Sequence, residues 1–219
     1  MEPMKSFLIG VATSGYQSEG GYNGPGEPKN NWGGCEASGR VQKTGAAVDF
    51  WNRYREDFRL TRGLGLNSFR LGLEWARIQP STSTARGAAP EFDNEAIDAY
   101  ALRIAACREE GLEPVVTLQH FTHPAWLGID AWLMDETVDL FEIFVRHTIT
   151  RLNDRLVDVH GQAPVRWYVT INEPNMLVLN TYLNRCFPGG PDAGVAIGLR
   201  AYNRLLAAHV RGYNAVHDL

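Results

Sequence analysis

Four short apolar segments, each closed by polar residues and separated from the next by a helical stretch, constrain this chain more than any other feature. A strand that runs parallel to its neighbour needs a crossover long enough to hold a helix, and such units join right-handedly into one parallel sheet. The clearest segment is Val165–Pro174. Trp167 to Ile171 is an apolar, β-branched and aromatic run with proline on either side, the pattern of a strand buried on both faces. Pro174 cannot continue a ladder, so the strand stops and leaves Asn172 and Glu173 at its mouth. Taken alone, the pair also reads as a polar turn facing solvent.

The remaining strands are expected at Phe7–Val11, Ser68–Leu73 and Pro114–Leu118, in sheet order following the sequence. Phe7–Thr13 reads as buried and runs into a glycine-rich loop, Ser14–Gly21, where the Gln17 amide suits a pair of vicinal hydroxyls or simply belongs to the loop. Asn23–Thr44 lacks periodicity and reads as a long loop over the strand ends. The second strand continues through Glu74–Pro80, with Arg70 a charge inside an apolar run that, if buried, pairs with Glu74 or with neighbouring loops. Thr82–Ala89 is a small-residue loop. Helices are expected over 46–64, 93–110, 135–153 and 194–219, the last burying Ile197, Tyr202, Leu205, Leu206, His209 and Tyr213. Met176–Pro188 reads as irregular.

Each strand thus delivers polar groups at one end: Gln17 and Glu19, Arg70 and Glu74, His120, Asn172 and Glu173. Convergence on one rim of a parallel sheet is a stronger signal than any one motif. His120 and His123 have metal-pair spacing, but they lie beside a proline in a loop without a third ligand, so hydroxyl binding by neutral imidazole fits better.

Composition excludes several classes. A net charge of −4 carries no nucleic-acid footprint, and no run approaches the length of a membrane span. Cys35, Cys107 and Cys186 are widely separated and odd in number, which argues for a reducing compartment and a cytoplasmic protein. The apolar run after Met1–Lys5 is too short for a secretion signal.

Read together, the segments resemble family 1 glycoside hydrolases, the β-glucosidase and β-glycosidase group. The resemblance rests on Phe7–Gly20, Arg70 with Glu74–Pro80, Val116–Phe121 and Thr170–Pro174, in family order across the whole chain. It implies an α/β fold of the (β/α)8 TIM-barrel type, of which residues 1–219 form about the first four units as one domain. It implies retaining hydrolysis of β-glycosidic O-linkages without metal or cofactor. Glu173 matches the acid/base, Asn172 the amide at the sugar 2-hydroxyl, and Arg70 the arginine beside the nucleophile. Gln17 and His120 match ligands of the terminal sugar, and Phe121 and Trp126 are assigned as its aromatic surroundings.

Two departures qualify the match. Phe121 stands where the family commonly has tryptophan, so the wall keeps its aromatic ring and loses an indole donor. The late-strand Glu-Asn-Gly motif that carries the family's nucleophile does not occur in this sequence. Glu19 and Glu74 sit at strand ends and are candidate substitutes. Glu74 stands where some members have glutamate while keeping the late nucleophile, and Glu19 reads as ordering its own loop. The expected partners are therefore a β-glycoside or oligosaccharide and either a complementary C-terminal half or a second copy of the chain. The alternative is a sugar-binding half-barrel without turnover, or an inactive fragment.

Overall fold

The computed structural model describes residues 7–80 and 91–219. Both the Met1–Lys5 segment and the loop expected at Thr82–Ala89 lie outside the described residues. Four strands, β1 (Gly10–Ala12), β2 (Ser68–Gly72), β3 (Glu113–Thr117) and β4 (Trp167–Val169), form one parallel sheet in the order β1-β2-β3-β4. Arg70 is in register with Ala12 on one side and Val115 on the other. Among the described residues eight α-helices accompany them: α1 (Gly15–Ser18), α2 (Gly33–Ala37), α3 (Phe50–Gly63), α4 (Trp75–Ile78), α5 (Asn94–Glu109), α6 (Glu136–Asp158), α7 (Pro174–Val178) and α8 (Val195–Asp218).

Period-two alternation sorts the central strands. Phe69 and Leu71 are buried toward the helices, where Phe69 stacks on Phe50 and meets Phe58 edge to face. Ser68, Arg70 and Gly72 face the other way. Gly10 has no room for a side chain: an added Cβ would lie 2.1 Å from the Ser68 carbonyl oxygen. Asp93 caps α5 by accepting from the Ala96 N–H at 3.0 Å. In α6 one stripe is buried, Val138, Phe141, Phe144, Val145, Thr148, Ile149 and Leu152, and the helix runs past the expected end at 153 to Asp158, so that Leu156 joins it.

Several expectations fail for physical reasons. All three residues of β1 are exposed rather than buried, because among the described residues β1 has a strand on one side only and nothing covers the Val11 face. Likewise β4 is not covered on both faces; Trp167 is 41% exposed on an open edge. Glu74–Pro80 does not extend β2 but turns into α4, and Ser14–Gly21 contains α1. Met176–Pro188 is largely helical, with α7 continuing into a π-turn over Leu179–Leu183. The buried face of α8 is Gly198, Ala201, Leu205, Ala208, Gly212 and Ala215, whereas Leu206, His209 and Tyr213 are exposed. Small residues let α8 approach α6 closely: a Cβ on Gly212 would lie 3.1 Å from the Phe141 ring.

Candidate active site

The polar residues gather at the C-terminal ends of the strands. Arg70 projects from β2, donates from Nε to Thr117 Oγ1 at 2.7 Å and from Nη2 to Asn172 Oδ1 at 2.6 Å. Asn172 Nδ2 lies 3.4 Å from His120 Nε2. This polar chain links β2, β3 and the segment after β4 across one rim. Burial lowers the Arg70 pKa, with the nearby Glu173 charge opposing that. Burial of His120, together with the Arg70 charge, pushes it down to about 4, so its ring is neutral at physiological pH; among the described residues its buried Nδ1 has no partner.

Glu173 follows directly. Its backbone is left-handed, with φ 42 and ψ 60, immediately before Pro174 at the start of α7. That conformation is uncommon for a non-glycine residue and clusters at functional positions. Its side chain is exposed on the rim.

Next to His120 opens a cleft of about 380 Å³ that Gln17, Trp32, Phe121, Thr122 and Phe187 help to line. Gln17 accepts from Ser14 Oγ at 2.6 Å, which leaves its amide nitrogen to the cleft. The structure therefore brings Gln17, His120 and Phe121 onto one cleft, with Asn172 in contact with His120. Trp126 is elsewhere: its indole N–H donates to the Gln79 carbonyl at 2.8 Å, and it does not line this cleft. His123 is not a cleft residue either. It is buried with Nε2 2.9 Å from the Gly128 carbonyl, and burial drives it down to about 4.

Two carboxylates behind the cleft are structural in their contacts. Glu19 accepts from Tyr100 Oη at 2.8 Å and from Arg77 Nε at 3.0 Å, and also from Tyr22 Oη. Arg77 in turn lies over the Trp51 ring at 3.8 Å. Glu74 makes no ion pair with Arg70. It accepts from Thr122 Oγ1 at 2.8 Å, and desolvation, with the Glu19 charge second, pushes it up to about 8. A neutral acid is a poor nucleophile, which weighs against Glu74 in that part.

Sequence reasoning missed an aromatic belt around the cleft. Tyr16 stacks on Trp32 at 5.6 Å, Trp32 meets Phe187 at 5.2 Å, and Phe187 meets Phe121 at the same distance. Tyr16 Oη donates to Glu36 Oε1 at 2.6 Å; burial of Glu36 is outweighed by this bond and those from Thr44, which hold its carboxyl below the usual value. Trp32, an aromatic residue inside an otherwise polar loop, was the one available signal.

A four-stranded parallel sheet with its crossover helices thus sets a neutral histidine, an amide and a carboxylate along one rim. The sequence matches Glycosyl hydrolase family 1 over residues 3–219. It is 33% identical over 217 residues to beta-glucosidase 47 of Arabidopsis thaliana, covering 94% of this chain and 38% of that protein. It is 30% identical over 212 residues to a 6-phospho-beta-galactosidase of Lacticaseibacillus rhamnosus, covering 96% of this chain and 41% of that one. The beta-glucosidase from Thermotoga maritima in complex with cyclophellitol superposes with a TM-score of 0.79 at 26% identity, over 98% of this chain and 47% of that chain. The chain belongs to glycosyl hydrolase family 1. It spans about two fifths of the length of the curated relatives it matches, and its four parallel strands correspond to a half-barrel.

Proposed function

We propose that this chain is the acid/base-bearing half of a retaining β-glycosidase. Glu173 protonates the leaving oxygen and later deprotonates water; Asn172 contacts the sugar beside it; Gln17, His120 and Phe121 hold the terminal sugar. The single observation that carries this reading is the hydrogen-bonded chain Thr117–Arg70–Asn172–His120 beside Glu173. Its Arg70 stands ready to keep a second carboxylate ionised. Retention requires that carboxylate roughly 5–5.5 Å from the first. A complementary C-terminal half is the proposed source. Trp126, whose indole N–H is engaged at the Gln79 carbonyl, is given no part in holding the sugar.

The same reading takes residues 1–219 as one cytoplasmic domain, in keeping with free thiols at all three cysteines. Among the described residues no helix is long and apolar enough to cross a membrane.

The test is complementation. The chain alone should leave aryl β-glycosides intact, and a half-barrel supplying the late-strand glutamate should confer hydrolysis. Glu173→Gln should then cost about 10²–10⁴-fold on poor leaving groups. Covalent trapping of the isolated chain at Glu74 or Glu19 would overturn the assignment. A second reading, a self-associating sugar-binding half-barrel, is favoured by one observation: the exposed apolar residues of β1 and α8.

A further inference from the structure

Arg40 is a cation spent on backbone. It lies in the loop that carries Trp32, yet its Nη2 donates to the Arg185 carbonyl and to the Phe187 carbonyl at 3.4 Å, 145 and 147 positions away. Its Nη1 lies 3.9 Å from the buried Cys35 Sγ, and its own N–H donates to the Cys35 carbonyl at 3.0 Å. Arg185, at the receiving end, is left-handed with φ 59. A planar guanidinium can reach two carbonyls and a sulfur at once, which a lysine ammonium on a flexible stem cannot do with the same geometry.

Between these anchors sits the mouth of the cleft. Phe187 touches Trp32 from the Arg40 loop and Phe121 from the segment after β3. Phe187 N–H also donates to the Asn180 carbonyl at 3.0 Å, and Gly190 N–H to Asp130 Oδ1 at 2.9 Å. Those two bonds hold the segment to its own side of the fold. Arg40 ties it across to the opposite loop.

We propose that Arg40 is a positioning residue that clasps the Phe187 segment to the Trp32 loop and so fixes the aromatic mouth of the cleft where a substrate's aglycone must pass. The proposal rests on the sugar-cleft reading above and deepens it: the clasp acts on what lies beyond the terminal sugar and not on the sugar itself. Arg40 does not itself line the cleft and is not a catalytic residue.

The experiment has two arms on the full chain in a Cys186→Ser background. The first measures modification of Cys35 by a thiol reagent, with the buried Cys107 as internal control. Arg40→Met keeps an apolar stem over the sulfur but cannot donate. Loss of the clasp should therefore raise the Cys35 rate about fivefold or more while Cys107 is unchanged, with Arg40→Lys between the two. An unchanged Cys35 rate in Arg40→Met overturns the clasp. The second arm compares binding of phenyl β-D-glucoside and methyl β-D-glucoside by NMR titration. Arg40→Met should weaken the phenyl glycoside several-fold and the methyl glycoside less than about twofold. Equal weakening of both, or of neither, overturns the positioning role. If the unaltered chain binds neither glycoside, the sugar-cleft reading fails and the Cys35 arm decides the clasp by itself.

Discussion

Replacing Glu74 with glutamine isolates one proton in the fold. Burial, with Glu19 second, raises the Glu74 carboxyl from 4.5 to about 8. In the unfolded chain the same group is ionised above its ordinary value, so between the two values the folded chain holds the extra proton. Stability is therefore fully present below about 4.5 and is lost as pH rises toward 8. At about 1.4 kcal/mol per pH unit the whole interval amounts to roughly 5 kcal/mol, of which roughly 2 kcal/mol falls between pH 6.5 and 8. His120 and His123, both lowered to about 4, act in the opposite sense and only below about 6.5, where the unfolded imidazoles take up protons first. The window from pH 6.5 to 9 thus separates Glu74 from both. Urea unfolding of the wild type and Glu74→Gln across that window should show the wild type losing about 2 kcal/mol more than the variant. Glutamine keeps the acceptor for Thr122 and cannot ionise. Parallel profiles for the two proteins would show that Glu74 is already charged in the folded chain and refute the argument.

Arg70→Met should raise the His120 pKa, since the arginine charge is the second cause of its depression, yet leave it below 6.5 because burial is the first; imidazole NMR shifts across pH read this directly. Trp126→Phe should lower stability by about 1 kcal/mol through the lost bond to Gln79 and leave glycoside binding by the isolated chain unchanged, as unfolding and titration would show. The apolar exposures at Phe7, Ile9, Leu199, Val210 and Tyr213 should drive self-association at micromolar concentration; sedentation by analytical ultracentrifugation as a well-behaved monomer would count against it.

Where side chains repeat with a clear period, the sequence was legible. The alternation Phe69–Leu71 and the stripe from Val138 to Leu152 mark β2 and α6, and Asp93 marks the start of α5. Exposure of β1 was not legible, because Val11 and Phe69 look equally apolar and differ only in having neighbours. The α8 face was misread because size was taken as the signal; alanine and glycine pack against α6 while Leu206 and Tyr213 do not. Among the candidate site residues, the positions of His120 and Asn172 were legible because each lies three residues beyond the end of a strand. The contact of Trp32 with Phe187 joins loops far apart in sequence and carries no periodic trace. Trp126 and His123 shared a motif with His120, yet their partners, the Gln79 and Gly128 carbonyls, are backbone atoms that no residue pattern announces.

Sheet order that follows chain order also bears on how the molecule is made. The contacts that close successive units are separated by similar lengths: 58 positions from Ile9 to Asn67, 45 from Ser68 to Glu113 and 52 from His120 to Asn172. Loop-closure entropy grows only with the logarithm of length, so these three closures differ by about 0.2 kcal/mol. Among the described strands, β2, β3 and β4 each pair with the strand before them in the chain. Each can dock on the one before it as the polypeptide leaves the ribosome, and assembly can proceed in the direction of translation, one unit at a time.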